Sequence, residues 1–251
     1  MNTLTRKQRE IQQRRDLMLD IAERLIDEGG HQALSMDRIA ELSEYSKGTV
    51  YQHFPNKEEV LIAICLRSMN ILTDMFERAN QFDGGPRDRM TAICVAHILY
   101  AKLNPLQFNI LQTIKAGSVK EKIHQETREQ HLQSERRCLS VLVGIIQDGV
   151  ASGDLVLPEE LSPVDVVFGL WASSYGSLVL QTYDIDFDEI GLPDPNKAML
   201  RILRFTLDGM GWKPLSSESD LTALRTRIEN EIFADEMAML VVQGGAGSST
   251  Q

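Results

Sequence analysis

Sustained alternation of apolar and polar residues, the mark of a half-buried strand, is missing throughout the 251 residues, which argues against a sheet-based fold. Cysteine is scarce. Cys65, Cys94 and Cys138 are odd in number and fall inside helical patterns, so no disulfide framework is expected and a reducing compartment fits. There is no Gly-x-Ser-x-Gly elbow, His-Glu-x-x-His pair, phosphate loop or Cys-x-x-Cys, so neither an enzyme nor a cofactor is expected. Asp184, Asp186 and Asp188 begin like a calcium loop, but Glu189 stands where glycine is required and Pro195 where a bidentate acid is required. No internal repeat of roughly 20–50 residues suggests a solenoid. The N-terminus is basic but lacks the apolar run of a secretory signal, which makes a cytoplasmic location the expectation.

The segment from Val166 to Tyr183 carries no charge and approaches the roughly 20 apolar residues of a membrane span. Ser173, Ser177 and Gln181 recur along it every four positions, and this polar stripe reads as a soluble helix buried on most sides, with no membrane partner.

Charge is abundant but unevenly placed. The formal net charge is −10, yet Arg6, Lys7, Arg9, Arg14 and Arg15 face only Glu10 within residues 1–15. A short arm of +4 therefore precedes a remainder of −14, an acidic solvated body. The arm suits a DNA backbone or minor groove, or else a solubilising extension that touches nothing.

What is present is helical periodicity, and the expected fold class is all-α. A first helix is expected from about Arg14 to Glu28, with Leu17, Ile21, Ala22, Leu25 and Ile26 on one face, stopped by Gly29 and Gly30. A short second helix follows the cap Ser35 and runs to about Leu42. A third follows the cap Ser46 and ends near His53, ahead of Pro55. Asn56 then caps a long helix, with Glu59 placed for a capping-box-like pair. Further helices are expected near 87–102, 105–116, 119–152, 163–183, 195–210 and 219–240.

Two short helices joined by a tight turn after an amphipathic first helix form a helix-turn-helix arrangement, in which the third helix is presented to a major groove. Three runs carry it: Ala22-Glu23-Arg24-Leu25-Ile26, Ser35-Met36-Asp37-Arg38-Ile39-Ala40, and Ser46-Lys47-Gly48-Thr49-Val50-Tyr51-Gln52-His53-Phe54-Pro55-Asn56-Lys57-Glu58-Glu59. Together, over about residues 14–66, they resemble the DNA-binding domain of TetR-family regulators. The resemblance implies an N-terminal three-helix domain followed by a larger helical body that binds a ligand and dimerises. Its boundaries would be a basic flexible arm at 1–13, a DNA-binding domain at 14–58, an effector and dimerisation domain at 59–240 and a flexible tail at 241–251.

The resemblance further implies that Ser35 meets a phosphate, and that Lys47 and Thr49 reach bases or phosphate while Gly48 lets the backbone approach. Tyr51 and His53 would hold phosphates, Lys57 would add a cation, and Gln52 could read bases. Ser35 and Ser46 are equally suited to be helix caps and no more. Val50 and Phe54 read as core, with Ile21, Ile39 and Leu42. Two departures stand out. Glu44 and Tyr45 occupy a turn where the family usually has a small residue and a small aliphatic, and His31 replaces an aromatic.

The partners implied are a double-stranded DNA operator, a second copy of the chain and an unidentified small-molecule effector. Residues that could line the effector site, or be ordinary core, are Cys94, His97, Tyr100 and Phe108, together with Leu111, Leu142, Trp171 and Tyr175. No metal is expected. The metal-sensing alternative would use Cys94 with His97, or His124, His131 and Cys138 at seven-residue spacing. Gly169, Ala172, Ser173, Gly176 and Ser177, with Met199, Ile202, Leu203 and Phe205 on the next helix, suit a dimer interface. The functional expectation is a ligand-responsive repressor released from a palindromic operator. An effector-independent architectural DNA binder, a metal-responsive regulator and an activator are the alternatives.

Overall fold

A computed structural model describes residues 5–116, 118–192 and 194–247. Among these residues there are eleven α-helices and no strand. In chain order they are α1 (Arg6–Ala33), α2 (Met36–Ser43), α3 (Lys47–His53), α4 (Lys57–Ala79), α5 (Pro86–Leu103), α6 (Pro105–Ala116), α7 (Gln125–Ala151), α8 (Pro163–Leu180), α9 (Pro195–Gly209), α10 (Leu221–Glu231) and α11 (Ala234–Gly247). Short 3₁₀ turns at Ser118–Glu121 and Ser216–Glu218 precede α7 and α10.

The chain divides into two compact units, Met1–Met69 with Leu106–Ser134, and Asn70–Pro105 with Glu135–Gln251. The division does not follow the boundary expected after residue 58. α6 and the start of α7 belong with the N-terminal helices, and α4 and α7 each supply residues to both units.

In the first unit α1 begins at Arg6, eight residues earlier than expected, so residues 6–13 are helical and not a flexible arm. Local chemistry accounts for the early start. Thr5 and Gln8 form a reciprocal capping box, and Arg6 pairs with Glu10 one turn on. Residues 1–4 of the expected arm lie outside the described residues. Gly29 and Gly30 leave helical geometry as expected, with Gly30 at φ 68°, and a last turn follows them to Ala33. Met18, Ile21, Ala22, Ile39, Val50 and Phe54 are buried together with the apolar face of α4. Leu17 and Leu42, expected inside, are 43% and 38% exposed. Both sit at the edge of their helix's apolar stripe, where so small a unit cannot cover them.

The expected single helix over 119–152 is a 3₁₀ turn followed by α7 from Gln125. The cause is tertiary, because the backbone N–H of His124 is taken by Glu59 Oε1 at 2.6 Å.

The second unit packs α8 against α9 and both against α5. α10 and α11 also pack on α5. The single helix expected over 219–240 is broken at Ile232 and Phe233, since the chain bends to bury Phe233 completely and sets its ring against the Arg78 guanidinium at 5.2 Å. The expected flexible tail is helical as far as Gly247, and its last four residues lie outside the described residues. Trp212 is fully buried, and a side chain at Gly149 would stand 3.1 Å from its indole, so a glycine suits this position on α7.

Arg87, in the first turn of α5, organises this unit. Its guanidinium donates to Asp208 Oδ1 at 2.6 Å, to Ser216 Oγ at 3.1 Å and to the carbonyl of Trp212. Burial alone would raise the Asp208 carboxyl. Hydrogen bonds from Ser216 and Arg87 outweigh it and bring the group down to about 2. A carboxyl lowered in the folded state stabilises above its unfolded value near 4 and loses that contribution as the pH falls towards 2. Asp208→Asn is therefore expected to lower stability by about 2 kcal/mol at neutral pH, the scale of a charged hydrogen-bond network. Denaturant midpoints at pH 6, 4 and 2.5 should show the two proteins converging at the acid end.

Candidate nucleic-acid interface and ligand cavity

The turn of the helix-turn-helix, residues 44–46, is built by left-handed capping. Glu44 closes α2 at φ 58° and ψ 21°, and its N–H donates to the Glu41 carbonyl at 3.3 Å. A glycine would take this conformation freely; for glutamate it costs on the order of 1 kcal/mol. Ser46 Oγ then accepts from the Thr49 N–H at 3.1 Å and starts α3. Ser35 caps α2 in the same way, accepting from the Arg38 N–H at 3.2 Å.

On α3, Val50 is fully buried and anchors the helix, while Lys47, Gly48, Tyr51 and Gln52 are exposed on the opposite side. Thr49 is half-buried with its hydroxyl 2.9 Å from Ser46 Oγ, His53 is half-buried, and Lys57 is exposed at the first position of α4. Lys47 Nζ lies 2.8 Å from Asp37 Oδ2, a hydrogen-bonded pair that raises the lysine pKa and keeps it charged. Burial, then the neighbouring Arg15 and Arg14, lowers the His53 imidazole, which favours its neutral form.

Arg14 and Arg15 belong to this construction and not to a loose arm. Arg15 donates to the His53 carbonyl at 3.0 Å, the exposed end of α3, and its guanidinium stands 4.3 Å from the Phe54 ring centre. Arg14 stands 6.0 Å from the Tyr45 ring centre, so the unusual turn residue has an aromatic role.

The second unit contains an apolar cavity of about 270 Å³ among α4, α5, α7, α8 and α9. Of the residues expected to line an effector site, Cys94, His97, Leu142 and Trp171 do so. Tyr100 is fully buried elsewhere in α5, and Tyr175 is half-buried with its ring 5.9 Å from that of Trp171. Neither is part of the lining. Phe108 and Leu111 are buried in α6, within the first unit. The sequence reading missed Phe76, Met90, Ser174 and Leu192 as lining residues. Only their meeting across helices marks them, since each fits its own helix or loop as ordinary core or surface. His97 Nδ1 is 3.1 Å from Ser174 Oγ, and its ring meets Phe76 edge-on at 6.1 Å. Burial pushes the Cys94 thiol up to about 12.

Among the described residues no group of three or more histidine, cysteine or acidic side chains could hold a metal ion. The seven-residue histidine stripe is distributed between other tasks: His124 Nδ1 lies 2.8 Å from Glu59 Oε1, and His131 Nε2 lies 3.5 Å from Cys65 Sγ. Asp186 Oδ1 accepts from the N–H groups of Asp188 and Glu189, so the acidic run is a hydrogen-bonded turn. α8 is long and apolar enough, by length and composition, to cross a membrane.

Residues 18–64, which include the helix-turn-helix, match the model of the family described as bacterial regulatory proteins, tetR family. Over 148 residues the chain is 29% identical to the uncharacterized HTH-type transcriptional regulator YhgD of Bacillus subtilis, spanning 56% of this chain and 71% of that protein. A bacterial regulatory protein in the tetR family from Rhodococcus RHA1 shares the fold at TM-score 0.61 and 18% identity, covering 79% of this chain and 97% of that one. The regulator FadR from Bacillus subtilis, solved in complex with stearoyl-CoA, aligns at TM-score 0.56 and 20% identity, covering 75% of this chain and 96% of that one. Residues 18–64 thus match the DNA-binding domain of the tetR family, and the chain shares the helical fold of solved tetR-family regulators.

Proposed function

We propose that this protein is a ligand-responsive, DNA-binding repressor that acts as a homodimer in the cytoplasm and leaves a palindromic operator when a small molecule fills the cavity of its second unit. The observation that carries the DNA half is the outward face of α3. Lys47, Gly48, Tyr51 and Gln52 are exposed at positions i, i+1, i+4 and i+5, while Val50 and Phe54 fix the helix from behind. Lys47, Thr49 and Gln52 would meet base edges or phosphate. Ser35, Tyr51, His53 and Lys57 would hold the backbone, and Gly48 would let it come close. His53, kept neutral, would serve a phosphate as a hydrogen-bond donor and not as a cation.

Dimerisation is supported by uncovered apolar surface on α8 and α9. Phe168 is 63% exposed and Phe205 65%, beside the small residues Gly169 and Ala172, which let a second helix approach closely. Large apolar patches on a water-soluble chain mark interaction sites, and a two-fold partner would set two α3 helices at successive major grooves. The exposed part of α8 is then a protein contact, and no membrane is needed to cover it.

The effector reading rests on the cavity and on the ligand-bound state of the FadR neighbour. A ligand shifts the equilibrium only by binding the DNA-incompetent state more tightly. α4, which carries residues of both units, is the element through which that preference would act.

Selection of genomic fragments by the purified protein at two salt concentrations tests the DNA half. Lys47→Ala and Tyr51→Ala should each weaken binding to the selected palindrome by roughly tenfold, and loss of one phosphate-facing lysine should reduce the salt slope by about 1. Failure to select any fragment would contradict the reading. Light scattering tests the dimer: the wild type is expected at twice the chain mass at micromolar concentration, and Phe205→Glu at the mass of one chain. A monomeric wild type would remove the proposed interface.

A further inference from the structure

The cavity's lining specifies the charge of what it can hold. Among the described residues none of its side chains is a lysine, arginine, aspartate or glutamate, and its polar groups are His97, Cys94, Thr206 and the serines Ser173, Ser174 and Ser177. The Cys94 thiol, pushed up to about 12 by burial, is a neutral wall and not an anion. His97 and Ser174 meet at 3.1 Å as a hydrogen-bonded pair at the wall, much of which is made by residues such as Met90, Leu142, Trp171 and Met199.

The loop between α8 and α9 adds a second, independent constraint. Phe187 and Leu192 from this loop line the cavity, and Asp184, Asp186, Asp188 and Glu189 of the same loop are exposed. An anion reaching that wall meets four carboxylates, and their field opposes it. A cation is drawn to the loop but finds no acid inside to compensate its lost hydration, and an unpaired buried charge is costly.

Resting on the effector reading above, we infer that the effector is an uncharged, mostly apolar molecule with a single hydrogen-bonding group, such as an alcohol or carbonyl, that engages the His97–Ser174 pair. A volume of about 270 Å³ holds on the order of ten non-hydrogen atoms, taking roughly 30 Å³ for each as in liquid water. The class excludes free carboxylates, phosphorylated or coenzyme-linked chains and quaternary or primary amines.

Three probes that share one ten-carbon chain isolate the head group: 1-decanol, decanoate and decylammonium, titrated calorimetrically into the full-length protein below their aggregation limits. 1-Decanol should bind at least tenfold more tightly than either charged probe. Ser174→Ala should weaken it by roughly two- to tenfold, the scale of one hydrogen bond, and Ala198→Phe, which fills the cavity from α9, should abolish it. Equal or tighter binding of decanoate or decylammonium overturns the inference, as does no binding of 1-decanol, or 1-decanol binding unchanged in Ala198→Phe. Operator affinity measured with the same probes separates the two readings. If 1-decanol binds as expected and leaves operator affinity unchanged, the ligand class stands and the effector role fails. If a charged probe binds best and releases the operator, the effector role stands and the ligand class fails.

Discussion

Glu59 is a carboxylate left only 6% exposed in the first unit, and a buried carboxylate is tolerable only when its donors are supplied. The start of α7 supplies them. The His124 backbone N–H and ring Nδ1 lie at 2.6 and 2.8 Å from Oε1, and Thr127 Oγ1 donates to Oε2 at 2.8 Å. Neighbouring residues reinforce the joint, with Asn56 donating to the Lys122 carbonyl and Lys122 reaching Glu58 at 3.1 Å each. These contacts hold segment 122–127 against the first residues of α4, immediately after the helix that faces outward. They explain why residues from 106 to 134 fold with the helix-turn-helix.

Charge is sorted by role along the same chain. Arg14 and Arg15, which a count of basic residues assigns to a solvated arm, are spent on the Tyr45 and Phe54 rings and on the carbonyl end of α3. Lys47 stays exposed and charged beside Asp37. The second unit buries an ionic network at Arg87 and Asp208, while among the described residues the cavity lining has no ionic side chain. Residues 1–69 are close to neutral, with ten basic and eleven acidic side chains, so most of the net charge of −10 lies beyond them.

The helix-turn-helix was legible in the sequence because its signals are local. Ser35, Ser46 and the glycine pair act on neighbouring backbone, Val50 and Phe54 follow from periodicity, and Glu44, the departure in the turn, closes α2 as a left-handed cap. What was not legible depends on distant partners. Nothing near His124 announces that its N–H belongs to Glu59, nothing near Phe233 announces that burying it breaks a helix, and nothing in the sequence announces that Ser174 lines the cavity while Tyr100 does not. The early start of α1 is different in kind, since the Thr5 and Gln8 pair is local and the weight of basic residues obscured it.

The central claim is that the α2–α3 face of the first unit is where the operator binds. Amide hydrogen exchange of the full-length protein, with and without a selected duplex fragment, tests it most directly. Slowed exchange concentrated in residues 35–57, with α8 and α9 unchanged, is the predicted result. DNA-dependent protection confined to the second unit, with residues 35–57 unaffected, would contradict the account.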